Sequence, residues 1–350
     1  MKYIYLIKNA YTGYAAWLWN EILHPSWHNY FYWLIGASAF FFLLELLRPW
    51  RKNQAKFRKD FWLDFFYMFF NFFLFSLIIY NAASEVVVNL FRDFLGLFGI
   101  KNLVAISVAS LPVWVQLLIL FVVRDFIQWN VHRWLHSSPR LWEFHKVHHS
   151  VEEMGFAAHL RYHWMENIVY NAVQYLPLAM IGFGIDDFFV VYIFGFLVGH
   201  FNHSNITVSG FTKGLVLGAA LGAYLSQSAT VQSWAVSAGM SATIFAVLFT
   251  LVFALIFASI FGRFLGYIFN SPEMHIWHHA YDLPPQHTKG INFGLTLSCW
   301  DYIFGTAYIP YNGRDIRLGF PGMEKYPHDL GHQLVYGFGL TEVEKEEAKS

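Results

Sequence analysis

Ten histidines stand in four short clusters between positions 132 and 279: His132-x3-His136, His145-x2-His148-His149, His200-x2-His203 and His275-x2-His278-His279. Residues three and four apart share one face of a helix, so each cluster can present its imidazoles to one side. Neutral imidazole is the commonest metal ligand. A single zinc ion is normally satisfied by three or four ligands, so this many rings could hold two metal ions. Any one of these histidines reads equally well as a core or interfacial residue. The His-x2-His-His pattern, present twice beside two further pairs, does not.

The single cysteine, Cys299, excludes a thiolate-built site and an internal disulfide framework within one chain, which leaves imidazole and carboxylate as ligands. Two neighbouring irons can bind and cleave O2 and produce an oxidant for an unactivated C–H bond. Soluble di-iron bundles use Glu and Glu-x-x-His on four helices. Here Glu21-Ile-Leu-His24 is isolated near the N-terminus, so that type is not expected. No His-Glu-x-x-His, Gly-x-Ser-x-Gly or Gly-x-Gly-x-x-Gly motif occurs. A non-enzymatic alternative is a metal-binding or metal-transport protein. Transport calls for ligands near the bilayer midplane on broken helices, whereas these clusters sit at helix ends.

The elements that must position the clusters follow from composition. With 56% hydrophobic, 21% aromatic and 13% charged residues and a mean hydropathy of +0.38, the chain reads as an all-α, polytopic membrane protein. Its net charge of zero suggests neither a nucleic-acid partner nor an acidic one. Met1–Tyr30 mixes Lys2, Lys8, Glu21 and Pro25 among aromatics, as an interfacial anchor does and a cleavable signal does not. Tyr30–Leu47 and Phe61–Tyr80 are the first expected spans, and the linker 48–60 between them carries six basic residues and one acid, which predicts a cytoplasmic location. Residues 112–130 form a third span. Ile168–Gly199, interrupted by Pro177 and by Gly182–Asp187, predicts a hairpin, and 214–262 has room for two more helices with polar breaks near 226–230 and 233–239. Seven crossings result, with every histidine cluster on a cytoplasmic-face helical cap. Gly214, Gly218 and Gly222 repeat at a spacing that allows close helix approach in lipid. The charged end, Glu342–Ser350, reads as a solvated tail.

At the clusters the sequence resembles the fatty acid hydroxylase/sterol desaturase superfamily. The matching segments are Trp129-Asn-Val-His-Arg-Trp-Leu-His136, Leu141-Trp-Glu-Phe-His-Lys-Val-His-His-Ser150, Gly199-His-Phe-Asn-His-Ser-Asn205 and Ser271-Pro-Glu-Met-His-Ile-Trp-His-His279. Arg161-Tyr-His-Trp-Met-Glu166 is similar to the family's Arg-Phe-His-Pro-Leu-Glu, with Trp164 in place of proline, and Asn292-Phe-Gly with Trp300-Asp-Tyr-Ile-Phe-Gly-Thr306 resembles its closing motif. The resemblance runs from about Arg124 to Ile309. It implies a membrane-bound, O2-dependent non-haem di-iron lipid hydroxylase, or a desaturase on the same site, holding two iron ions and acting on an apolar lipid C–H bond. Many family members pass from the third histidine pair to the last cluster in a short stretch, whereas Gly210–Phe269 here adds an apparent membrane hairpin.

This reading divides the chain into N-terminal interfacial and transmembrane helices (1–123), a catalytic fatty acid hydroxylase-like domain (124–309, with the extra hairpin at about 210–269) and a cytoplasmic tail (310–350). The expected catalytic metal ligands are His132, His136, His145, His148, His149, His200, His203, His275, His278 and His279. His163 is an eleventh candidate, as ligand or as hydrogen-bonded neighbour. Metal-bound imidazoles usually donate their second N–H to a carboxylate or carbonyl, for which Asp125, Glu166, Asn205 and Asp301 are candidates. His159 and His287 are expected in the pocket wall or interface. No cytochrome b5 or flavin module is visible, so electrons are expected from a separate carrier: cytochrome b5, a ferredoxin or a reductase.

Overall fold

The computed structural model describes residues 2–100, 104–182, 185–341 and 344. It is all-helical, and no β-strand occurs among the described residues. The expected break at 182–187 falls between α7 and α8, with 183–184 outside the described residues, and the charged tail lies largely outside them.

Helix α1 (Lys2–Leu23) leads through the loop at Asn29 into α2 (Tyr30–Leu47). Asn29 is buried and caps α2, its side chain accepting from Tyr32 N, while its amide donates to the Glu21 carbonyl at 2.6 Å. Helix α3 (Phe61–Phe69) continues into π-helical turns at Phe70–Leu74 and Ser76–Tyr80 and then α4 (Asn81–Leu97). The first π turn carries Asn71, whose buried amide donates to the carbonyls of Leu160 (2.9 Å) and Tyr162 (2.8 Å). A widened turn at a position that must reach sideways is a recurrent use of π-helix.

Pro112 opens α5 (Val113–Ser137), and Ser138 closes it. The Ser138 hydroxyl then accepts from Leu141 N, and Pro139 occupies the first position of α6 (Pro139–His149). That single-residue reversal folds α6 back along the end of α5. Helices α7 (Trp164–Ile181) and α8 (Ile185–His203) both pack against α5, forming the two arms expected for 168–199. Helices α9 (Gly210–Ser226), α10 (Ala229–Ser237) and α11 (Ala242–Phe261) follow, then the short α12 (Leu265–Ile268), α13 (Pro272–His278), α14 (Cys299–Phe304) and α15 (Leu330–Val335).

By length and hydropathy Tyr30–Leu47, Phe61–Ile78, Val113–Ser137 and Ala242–Ile268 can cross a membrane. Gly210–Ser226 with Ala229–Ser237 passes the same test only as a pair bent by 79°, the polar Ser226–Thr230 break made visible. Among the described residues the candidates are therefore four long apolar helices, one bent pair and the shorter apolar helix Phe189–His203. The third span also runs further than expected, so His132 and His136 are the last turns of α5 itself. The small-residue stripe does what its spacing predicts: a Cβ on Gly214 would lie 2.7 Å from the Ala258 backbone, and one on Gly218 2.9 Å from that of Ala254. Only glycine lets α9 and α11 approach this closely. The outer face of α11 is apolar and bare, with Leu251 56% exposed, as a lipid-facing surface is.

Candidate metal centre

The helix ends bring nine of the ten clustered histidines into two adjoining groups. His132 and His136 of α5, His145 and His149 of α6 and His278 of α13 form one; His148 of α6, His203 of α8, His275 of α13 and His279 just beyond it form the other. Within each group one nitrogen per ring lies within 4.8 Å of all the others. The groups adjoin through stacked neighbours, with the rings of His149 and His279 4.4 Å apart.

The outward nitrogens of five rings are tethered to acceptors. Nδ1 of His132 donates to the Phe293 carbonyl (2.8 Å), that of His148 to Arg161 (3.0 Å), that of His203 to Gly199 (2.8 Å) and that of His278 to Ile291 (2.8 Å). His145 Nδ1 lies 2.8 Å from a Glu166 carboxylate oxygen. Each carbonyl tether fixes the tautomer and leaves Nε2 with a lone pair facing inward. His148 Nε2 lies 3.3 Å from His203 Nε2, two such lone pairs with no proton between them, and His132 Nε2 lies 3.2 Å from His145 Nε2. A shared cation removes the repulsion, so the donor set fits a metal ion in each group. Nε2 of His136 and Nδ1 of His275 and His279 are buried with no hydrogen-bond partner among the described residues.

Burial holds the imidazoles of His145, His149, His275, His278 and His279 well below their ordinary titration range, and neighbouring histidines add to the effect. Burial pushes His148 down to about 4. At neutral pH these rings are uncharged, the form that binds metal.

A frame of buried polar residues carries the tethering carbonyls. Asp301 accepts from Phe293 N (2.9 Å), Gly294 N (2.7 Å), Trp129 Nε1 (3.1 Å) and the Thr306 hydroxyl (2.6 Å), and so sets the strip whose carbonyl holds His132. Asn292, at φ 52°, pins the same strip by donating to the carbonyls of Met274 (3.0 Å) and Tyr308 (2.8 Å). Gly290, at φ 118°, leaves room for His136: a Cβ there would lie 3.0 Å from its Nδ1. Buried Arg161, whose carbonyl holds His148, is paired with Asp60 (3.1 Å) and Asp64 (3.2 Å).

Other expected site residues lie elsewhere. His200 falls outside both groups, with Nδ1 2.8 Å from His159 Nδ1 and Nε2 3.3 Å from the Ser38 hydroxyl. Both nitrogens of His163 are occupied, one by the Leu334 carbonyl (2.9 Å) and one by Met165 N (3.1 Å), which fits the hydrogen-bonded alternative. Of the four expected partners of ligand N–H groups, Glu166 touches a histidine side chain directly. Asp125 accepts from Thr296 N, Leu297 N and Trp300 Nε1, tying α5 to the start of α14. Asn205 holds Arg51 through its backbone, and Asp301 acts one residue removed, through Phe293. His159 lines the cavity beside the histidines and His287 a separate surface cleft, as expected.

Sequence reasoning missed Arg161's pairing, Asn292, Asn71 and a polar face of α7. That last signal was readable: Glu166, Asn167, Tyr170, Asn171 and Gln174 recur at helical spacing along an otherwise apolar helix.

The fatty acid hydroxylase family model matches residues 117–221 and 216–306, more than half of the chain and the whole of the histidine constellation. The chain belongs to the fatty acid hydroxylase family. It is similar to the ornithine lipid hydroxylase OlsE of Rhizobium tropici, with 22% identity over 211 residues, 60% of this chain and 47% of that protein. The chain thus spans about half the length of this curated relative. No solved structure gives a significant match.

Proposed function

We propose that this protein is a membrane-bound, O2-dependent lipid hydroxylase whose two histidine groups hold two iron ions. The observation that carries the reading is the convergence of ring nitrogens in two groups, with the unprotonated Nε2 atoms of His148 and His203 facing each other, beside family membership and the likeness to a lipid hydroxylase. His132, His136, His145, His149 and His278 would hold one ion and His148, His203, His275 and His279 the other. When bound, the pair supplies O2 activation and removal of hydrogen from an unactivated C–H bond. Electrons come from a separate carrier protein on the cytoplasmic side.

The chain's own residues orient and exclude. The carbonyls of Phe293, Arg161, Gly199 and Ile291 fix four rings against rotation, and the Glu166 carboxylate fixes a fifth and holds its Nδ1 proton. Phe293, with its ring 5.2 Å from that of His136, and Trp142, 5.0 Å from it, close the first group against water. A cavity lined by His132, His145, His148, His203 and His275 opens beside both groups and gives a substrate its approach.

Iron-reconstituted protein supplied with a reductase system, O2 and a membrane lipid extract should yield products heavier by one oxygen atom, seen by lipid mass spectrometry. Label from 18O2 should enter the product. Products lacking two hydrogens would point to desaturation; no lipid change under any reductant would refute the proposal.

A further inference from the structure

The cavity beside the histidine groups carries polar side chains for which a bare hydrocarbon chain has no use. It has a volume of about 190 Å³ and lies between α5, α7 and α8, yet side-chain amides and a guanidinium supply much of its lining. Gln128, Asn167, Asn171, Gln174 and Asn202 all face it. Deepest in sequence terms is Arg124, in the middle of the apolar helix Val113–Ser137, where a charge is costly and marks a functional position.

No carboxylate among the described residues lies within ion-pairing distance of Arg124, and the ring of Tyr192 lies 5.7 Å from its guanidinium carbon. The adjacent Asp125 is committed to Thr296, Leu297 and Trp300. Gly195 on α8 lies against the guanidinium, where a Cβ would be in ordinary contact with Nη1 at 3.4 Å. Across the chamber Asn202 donates its amide to the Leu295 carbonyl at 2.7 Å, and its Oδ1 is buried with no donor among the described residues. Arg124, Gln128 and His132 are spaced by fours along α5, so the backbone positions of Arg124 and His132 stand about 12 Å apart along the helix, at 1.5 Å per residue.

We propose that this chamber is a headgroup subsite: Arg124 binds an oxyanion of the lipid substrate, a carboxylate or a phosphate, and Asn202 accepts from an N–H or O–H of the same headgroup. The oxidised carbon is then set by its distance from the anion, a span of about 12 Å along α5 between the guanidinium-bearing turn and His132. Arg124 is the residue that selects substrates. The inference rests on the lipid hydroxylase reading for its substrate, while the binding it claims can be measured without turnover.

Calorimetric titration of the purified full chain, iron-loaded and kept anaerobic, compares three probes with the same tail: N-lauroyl glycine, lauryl phosphate and neutral lauroyl glycerol. At least one anionic probe should bind about ten-fold or more tightly than the neutral one, as a charge-assisted contact gives. The better of the two identifies carboxylate or phosphate as the preferred oxyanion. Arg124→Gln should abolish the preference, and Arg124→Lys should retain part of it, with iron content unchanged in both. If Arg124→Gln does not fold, the wild-type comparison decides alone. Equal binding of all three probes, or an unaltered preference in folded Arg124→Gln, overturns the subsite. Anionic preference without any oxygenated lipid product would leave the subsite standing and remove the hydroxylase reading. Hydroxylation indifferent to headgroup charge and to Arg124 would do the reverse.

Discussion

The Nε2 atoms of His148 and His203 face each other at 3.3 Å although each ring has already given its Nδ1 proton to a backbone carbonyl, those of Arg161 and Gly199. Two buried acceptors at that distance repel; His275 Nε2, 2.9 Å from His203 Nε2, can donate to one of them, and the unsatisfied His148 Nε2 costs about 1–3 kcal/mol. Stripping metal with a chelator should therefore lower the unfolding midpoint, by about 1–4 °C for a chain of this size. Thermal unfolding with and without chelator checks this; an unchanged midpoint would mean that no ion links the two rings.

Asp301 should matter without touching a ligand. It accepts four hydrogen bonds and sets the strip whose Phe293 carbonyl tethers His132. An amide in its place cannot accept from all four donors. Asp301→Asn should weaken metal binding by roughly 10–100-fold, the usual cost of a lost supporting contact. Competition with a calibrated chelator measures it, and wild-type affinity would confine Asp301 to folding.

The sequence made the histidines legible because metal chemistry leaves a strong spacing signal, and nine of its ten clustered rings converge. His200 did not, because i,i+3 spacing puts it on the face of His203 without saying how far along the helix the groups reach; its Nδ1 meets His159 instead. Asp125 illustrates the same limit. Two turns before His132 on the same helix, it faces Leu297 and Trp300, partners nearly half the chain away. Span counting was weakest at α7, whose polar inner face, Glu166, Asn167, Asn171 and Gln174, lines the cavity and dilutes its hydropathy.

Acid should destabilise the metal-free protein. Burial lowers the folded-state value of His148 from 6.5 to about 4, so as pH falls the unfolded chain takes up the proton first. Stability is full above the unfolded value and is lost as pH drops from about 6.5 toward about 4. The other buried rings of α6 and α13 are shifted in the same direction and steepen the fall. Denaturant melts across that range provide the test; stability that rises on acidification would contradict neutral, buried imidazoles.

Sidedness follows from the basic linker at 48–60, if the expected crossings hold. With Cys299 replaced, a reporter cysteine at Ser350 should resist an impermeant thiol reagent in intact cells, and one at Ala10 should react. Labelling at Ser350 would place the metal groups away from cytoplasmic electron carriers.

Metal stoichiometry addresses the dimetal claim most directly. Protein prepared anaerobically and reconstituted with iron should carry two ions per chain by elemental analysis, one for each histidine group. His148→Ala, which removes a ring from the four-histidine group, should lose metal and turnover while its helical content stays unchanged. The exposed His328→Ala and His332→Ala should match wild type in stability to within about 0.5 kcal/mol. One ion or none in reconstituted wild-type protein, or two ions retained in His148→Ala, would contradict the assignment.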